Sequence, residues 1–234
     1  MGQKMICDYL RFFTKDEKRA GEYADFFSYE PKKEMWKNGT VRWRFDISGA
    51  ILGRFTSTDI DLIVDIILEN RDKITRFDVA WDYSISYDIK GFYDRNKKPN
   101  DNLTIYDGNG TTVQIAKRGS RFFARIYDKR AEIKAKRGVD VGFDWVRVEI
   151  ECKRDMAAPC ARAFLAKEEV RMLGWLVDTR PDVVEIIGDH EPMSKPKVPT
   201  RAKAGHWWVV THYRNAIKAA MEENIAEFRG IVGV

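Results

Sequence analysis

The sequence predicts an α+β fold: a curved, mostly antiparallel sheet with helices on one face and an open face that mixes basic and acidic side chains. Three observations predict it. At least five segments alternate apolar and polar residues with the two-residue period of half-buried strands. Between them lie stretches whose apolar residues have helical spacing, and a composition of 44% hydrophobic and 12% aromatic residues supplies one sizeable core. A single domain over residues 1–234 accommodates all of it.

In chain order, residues 1–39 are polar and aromatic, with Pro31 and Asn38-Gly39 marking a turn. Val41, Trp43, Phe45 and Ile47 then alternate with Arg42, Arg44, Asp46 and Ser48, a strand with a basic outer face. Residues 48–54 read as a loop. Thr58 is the expected N-cap of DIDLIVDIILEN, with Asp59 and Asp61 in the first turn of a core-facing helix. In RFDVAWDYSISY, Phe77, Val79, Trp81 and Tyr83 oppose Asp78, Ala80, Asp82 and Ser84, so two carboxylates share the outer face. Residues 88–102 read as a polar loop. LTIYDGNGTTVQIAKR gives two short strands around a turn at Asp107–Gly110.

Gly119-Ser120 signals a two-residue hairpin, which pairs Arg118 with Arg121, Ala116 with Phe123, Gln114 with Arg125 and Thr112 with Tyr127. The returning strand turns Phe122, Ala124 and Ile126 inward and Arg121, Phe123, Arg125 and Tyr127 outward. A helix follows over DKRAEIKAKR, closed by Gly138. FDWVRVEIECKRD is a further strand, with Val146, Val148, Ile150 and Cys152 inward and Arg147, Glu149, Glu151 and Lys153 outward. Residues 157–178 read as helix. A proline- and lysine-bearing loop over 188–205 then leads to a C-terminal helix.

The net charge is +5, and its uneven distribution makes nucleic acid the default partner, ahead of a membrane surface. Cys7, Cys152 and Cys160 form no ligand spacing and no disulfide framework; with no signal-peptide layout and no apolar run of spanning length, the expected place is the cytoplasm. His190, His206 and His212 are isolated. Arg42, Arg44, Arg118, Arg121, Arg125 and Arg147 are the candidate grip on a DNA backbone.

Carboxylates on the same surface oppose DNA unless a divalent cation stands between them and the phosphate. Asp78 or Asp82 with Glu149, joined by Glu151 or Glu132, would offer oxygen ligands suited to Mg or Mn. In a straight strand Asp78 and Asp82 stand roughly 13 Å apart, so one ion does not take both without a bulge. Blander roles are open to each: Asp78 and Asp82 as salt-bridge partners of Arg42 or Arg44, Glu132 as a helix pair with Lys136. Tyr127, a phenol at a strand-to-helix junction ringed by cations, is the candidate nucleophile. An ordinary phenol has a pKa of about 10, so Arg125, Lys129 or the metal must favour its ionised form.

RFDVAWDY, the hairpin ending in ARIYDKRAE, and WVRVEIECKRDMA resemble, in order and spacing, the rolling-circle replication initiator family of plasmid Rep proteins, phage replication initiation factors and related conjugative-element relaxases. The resemblance implies a Mg- or Mn-dependent nickase and strand transferase that leaves a 5'-phosphotyrosine and a free 3'-hydroxyl. It places Tyr127 and Lys129 at the catalytic positions and Asp78, Asp82, Glu132 and Glu149 at the acidic ones. It also implies single-stranded or cruciform origin DNA, a host helicase and a second copy of the chain as partners. Two other readings use the same residues: a metal-dependent phosphodiesterase employing water, and a nonenzymatic single-strand nucleic-acid binder with Phe123 and Tyr127 as stacking platforms.

Overall fold

The computed structural model describes residues 5–106 and 110–187; the expected turn residues 107–109, the 188–205 loop and the C-terminal helix lie outside them. Eight strands, β1 (Ile6–Thr14), β2 (Lys32–Met35), β3 (Val41–Ser48), β4 (Lys73–Tyr83), β5 (Asn102–Tyr106), β6 (Gly110–Ile115), β7 (Phe122–Asp128) and β8 (Val146–Lys153), form one sheet. Their order is β2-β3-β1-β4-β8-β7-β6-β5, with every neighbouring pair antiparallel. The helices are α1 (Glu17–Phe27), α2 (Gly49–Leu52), α3 (Ser57–Glu69), α4 (Ile89–Asn96), α5 (Lys129–Arg137), α6 (Ala157–Leu165), α7 (Glu169–Thr179) and α8 (Val184–Ile187). The α+β architecture and the open, curved antiparallel sheet expected from the period-two pattern are present.

The core lies between the apolar strand face and the helices. Phe12 of β1 stacks on Phe45 of β3 at 4.7 Å, with Tyr23 of α1 edge-on at 5.0 Å, while Phe77 of β4 meets Phe164 of α6 at 5.4 Å. Each such ring, fully removed from water, contributes roughly 2–3 kcal/mol. Helix α4 closes the other half of the sheet with Ile89 and Phe92, both buried.

The tyrosine hairpin has the expected register: Thr112 faces Tyr127 and Gln114 faces Arg125. Its loop is longer than two residues. The ladder stops at Ile115 and resumes at Phe122, because Ala116 takes a left-handed conformation (φ 68°) and a turn closes from Ser120 N–H to the Lys117 carbonyl.

Residues 1–39 are more structured than their pattern suggests. They hold α1, β2 and β1, and β1 lies between β3 and β4. Register shifts between Cys7 and Tyr9 and between Arg11 and Phe12 break its two-residue period. Thr56 caps α3, exchanging hydrogen bonds with Asp59; Thr58 has an equivalent acid three residues on, Asp61, so composition could not separate them. Residues 88–102 contain α4, capped by Asp88, and residues 157–178 form two helices separated at Lys167 (φ 58°).

The acids of the polar strand face do not look out into solvent: Asp78, Asp82, Glu149 and Glu151 are each no more than 1% exposed. Short carboxylates beside long arginines on one pleated face are roofed by guanidinium groups that fold over to pair with them.

Candidate active site

Three adjacent strands build the site. On β4 and β8, Asp78 faces Glu151, Ala80 faces Glu149 and Asp82 faces Arg147; on β7 and β8, Arg125 faces Glu149 and Tyr127 faces Arg147. The small side chain of Ala80 stands opposite Glu149 at the centre of this polar layer.

Asp78, Glu149 and Glu151 converge there, each offering an oxygen, with those oxygens all within 4.8 Å of one another. Asp78 accepts from Arg76 Nε at 2.9 and 3.0 Å. Glu149 pairs with Arg125. Glu151 has Arg76 at 3.2 Å and Lys153 at 2.6 Å, yet neither donor is aligned, and both its buried oxygens are without a hydrogen bond. Burial drives the Asp78 carboxyl up to about 7 against the pull of Arg76. Burial also raises Glu149, and the negative charge of Asp8 adds to the effect.

Tyr127 sits at the edge of this cluster, 7% exposed, and its hydroxyl donates a long hydrogen bond, 3.4 Å, to Glu149 Oε2. Its surroundings on this face are polar: Arg125 and Lys129 stand 5.9 and 5.5 Å from the ring centre. Burial first, then the Glu149 charge, push the phenol pKa well above its ordinary value, while Arg147 works the other way. Lys129 opens α5, directly after the capping Asp128, and pairs with Glu132. Burial and the nearby Arg147 lower the Lys129 pKa. Glu132 also reaches Lys136 at 2.6 Å; burial alone would raise it, but Lys129 and Lys136 together hold it down at about 2.

The other expected acids have different company. Asp82 accepts from Trp145 Nε1 at 2.7 Å and from Arg147 Nε and Nη2 at 2.6 and 2.8 Å. Arg147 turns its remaining nitrogen to Asp8 at 2.9 Å, and is itself buried. The structure therefore gathers Asp78 and Glu149 with Glu151, and leaves Asp82 and Glu132 in ion pairs outside the triad. Among the expected DNA-binding arginines, Arg118 and Arg121 are exposed, Arg42 and Arg44 are half-buried beside Glu34, and Arg125 and Arg147 act as inward counter-ions. Sequence reading missed Arg76 and Asp8. Arg76 was readable two residues before Asp78 on the same face; the bulge at the start of β1 hid Asp8.

A comparison with protein-family models matches residues 84–218, more than half of the chain, to the replication initiation factor family. The chain belongs to that family. The matched stretch of this initiation factor holds Tyr127, Lys129, Glu149 and Glu151; Asp78 precedes it on β4. The structure of the rolling circle replication initiator protein from Geobacillus stearothermophilus resembles it with a TM-score of 0.53 at 15% sequence identity, covering 88% of this chain and 94% of that chain. At that identity the likeness concerns the fold. No curated protein matches the chain. Among the described residues of the initiation factor, no helix is long and apolar enough to cross a membrane.

Proposed function

We propose that this replication initiator nicks one DNA strand at an origin through Tyr127 and later rejoins it, with Asp78, Glu149 and Glu151 holding a divalent cation. The observation that carries the reading is the meeting of a phenol and three buried acids on one polar face. The acids fit a hard cation: their donors are all oxygen, and the two buried oxygens of Glu151, paired in charge with Lys153 and Arg76, make no aligned hydrogen bond. When bound, Mg or Mn would supply Lewis-acid polarisation of the scissile phosphate.

The chain's own groups account for the proton inventory. Glu149 Oε2, which accepts the Tyr127 hydroxyl's hydrogen bond, takes the Tyr127 proton. The Tyr127 oxygen bonds to phosphorus as the bond from phosphorus to the 3'-oxygen breaks. Lys129, an ammonium of lowered pKa beside the ring, gives that oxygen its proton. Reversal by the same groups restores the strand, because the phosphotyrosine keeps the phosphodiester's energy.

The test uses single-stranded oligonucleotides tiled across the origin of the replicon that encodes the chain. With Mn, a covalent protein-DNA adduct should survive a denaturing gel, and Tyr127→Phe should yield none. Nicking that persists in Tyr127→Phe would mean hydrolysis by water and would overturn the tyrosine mechanism.

A further inference from the structure

On the same polar face, beyond Asp78 from Tyr127, lies a cleft of about 440 Å³ that the nicking chemistry does not use. Its walls come from β1, β3, β4 and the end of β8, and include Arg11, Arg42, Arg44, Arg76, Lys153 and Arg154. Glu34 and Asp46 offset part of this charge, through pairs with Arg42, Arg44 and Arg11. Arg154 is exposed and has no ion-pair partner among the described residues, and the Thr75 hydroxyl in the wall is buried without a hydrogen-bond partner. Arg76 and Lys153 belong to both places, since each also stands against Glu151.

An aromatic stack rises at the rim. The Arg42 guanidinium lies between Phe13, 3.9 Å from its ring centre, and Trp36, at 4.3 Å. Trp36 starts the turn of the β2–β3 hairpin, held by its N–H to the Thr40 carbonyl at 2.9 Å, and is 39% exposed next to Met35 at 76%. A partly exposed indole backed by a guanidinium, at the mouth of a cationic groove, has the two components of single-strand recognition: a face on which any base stacks and a track for phosphates.

We infer that the β2–β3 hairpin and this cleft hold single-stranded DNA flanking the nick, with a base stacked on Trp36 and backbone phosphates on Arg11, Arg44 and Arg154. The inference rests on the nicking reading for its place along the strand: Arg76 and Lys153 make one continuous path from the acid triad to the hairpin. Its binding needs neither metal nor phenol. Duplex DNA, whose bases are already stacked, gains nothing from Trp36.

The experiment measures anisotropy of a fluorescein-labelled oligothymidylate with the Tyr127→Phe protein in EDTA, so that covalent chemistry plays no part. Trp36→Ala should weaken binding about tenfold and Trp36→Phe much less. Arg44→Gln and Arg154→Gly, the latter suiting the left-handed backbone at that position (φ 58°), should each lower the salt slope by about 0.7. Unchanged affinity in Trp36→Ala, or duplex binding with the same dependence on Trp36, overturns the inference. So does a loss of self-association in Trp36→Ala with DNA binding intact, which would make the hairpin a protein interface. If wild-type protein forms no adduct while Trp36-dependent binding persists, the subsite stands and the nicking reading falls.

Discussion

Arg147 lies buried between Asp82 and the half-buried Asp8, and its removal would strand the fully buried Asp82 carboxylate in the sheet. Arg147→Met should cost about 3–5 kcal/mol, seen as a lower urea midpoint; a loss near zero would mean that Asp82 reaches water. Asp78 gives a second expectation. Its carboxyl moves from an ordinary 3.8 to about 7 in the folded chain, so between those values the folded state holds a proton that the unfolded state has released. Metal-free stability should therefore fall as pH rises from about 4 to about 7, by roughly 4 kcal/mol from Asp78 alone, with Glu149 acting in the same direction. Mg or Mn should flatten that slope in urea titrations, and a slope that is flat in EDTA as well would contradict the buried triad. Tyr127, Asp78 and Glu149 were readable from alternation and motif. That Glu151 joins the triad while Asp82 pairs with Arg147 was not, because cross-strand register and arginine reach decide it.

Helix α5 is the element that sets Lys129 beside the phenol. Asp128 caps it by accepting from Ala131 N–H at 2.9 Å, and Gly138 ends it in a left-handed conformation (φ 67°). Asp128→Ala should lower stability by about 1 kcal/mol and reduce adduct formation more than global stability explains, because the first turn carries Lys129. Gly110 lets β6 approach this helix: it has φ +83°, and a Cβ there would stand 2.6 Å from that of Ala131. Gly110→Ala should therefore lower the melting temperature and the nicking rate together. The start and stop of α5 were legible because acid cap, helix formers and closing glycine agree. Helix α4 was not, since its two buried residues, Ile89 and Phe92, stand in a largely polar stretch.

Across the molecule, the run β5-β6-β7-β8 follows chain order, and its hairpin register could be read from a turn. The insertion of β1 between β3 and β4 could not, since pairing partners distant in sequence leave no local signal. That insertion brings Asp8 to the site and Arg11 to the basic cleft. The same sheet depends on the helices behind it: Phe164→Ala would open a cavity against Phe77, costing about 3–5 kcal/mol and roughly 10 °C in melting temperature. The most direct measurement is mass spectrometry of a trypsin-digested, nuclease-trimmed adduct formed with Mn. Cleavage after Arg125 and Lys129 isolates Ile126–Lys129, and this peptide should carry a nucleotide 5'-phosphate on Tyr127. A nucleotide on any other tyrosine, or an unmodified Ile126–Lys129 peptide from a chain shown to be cross-linked, would contradict the assignment of Tyr127 as nucleophile.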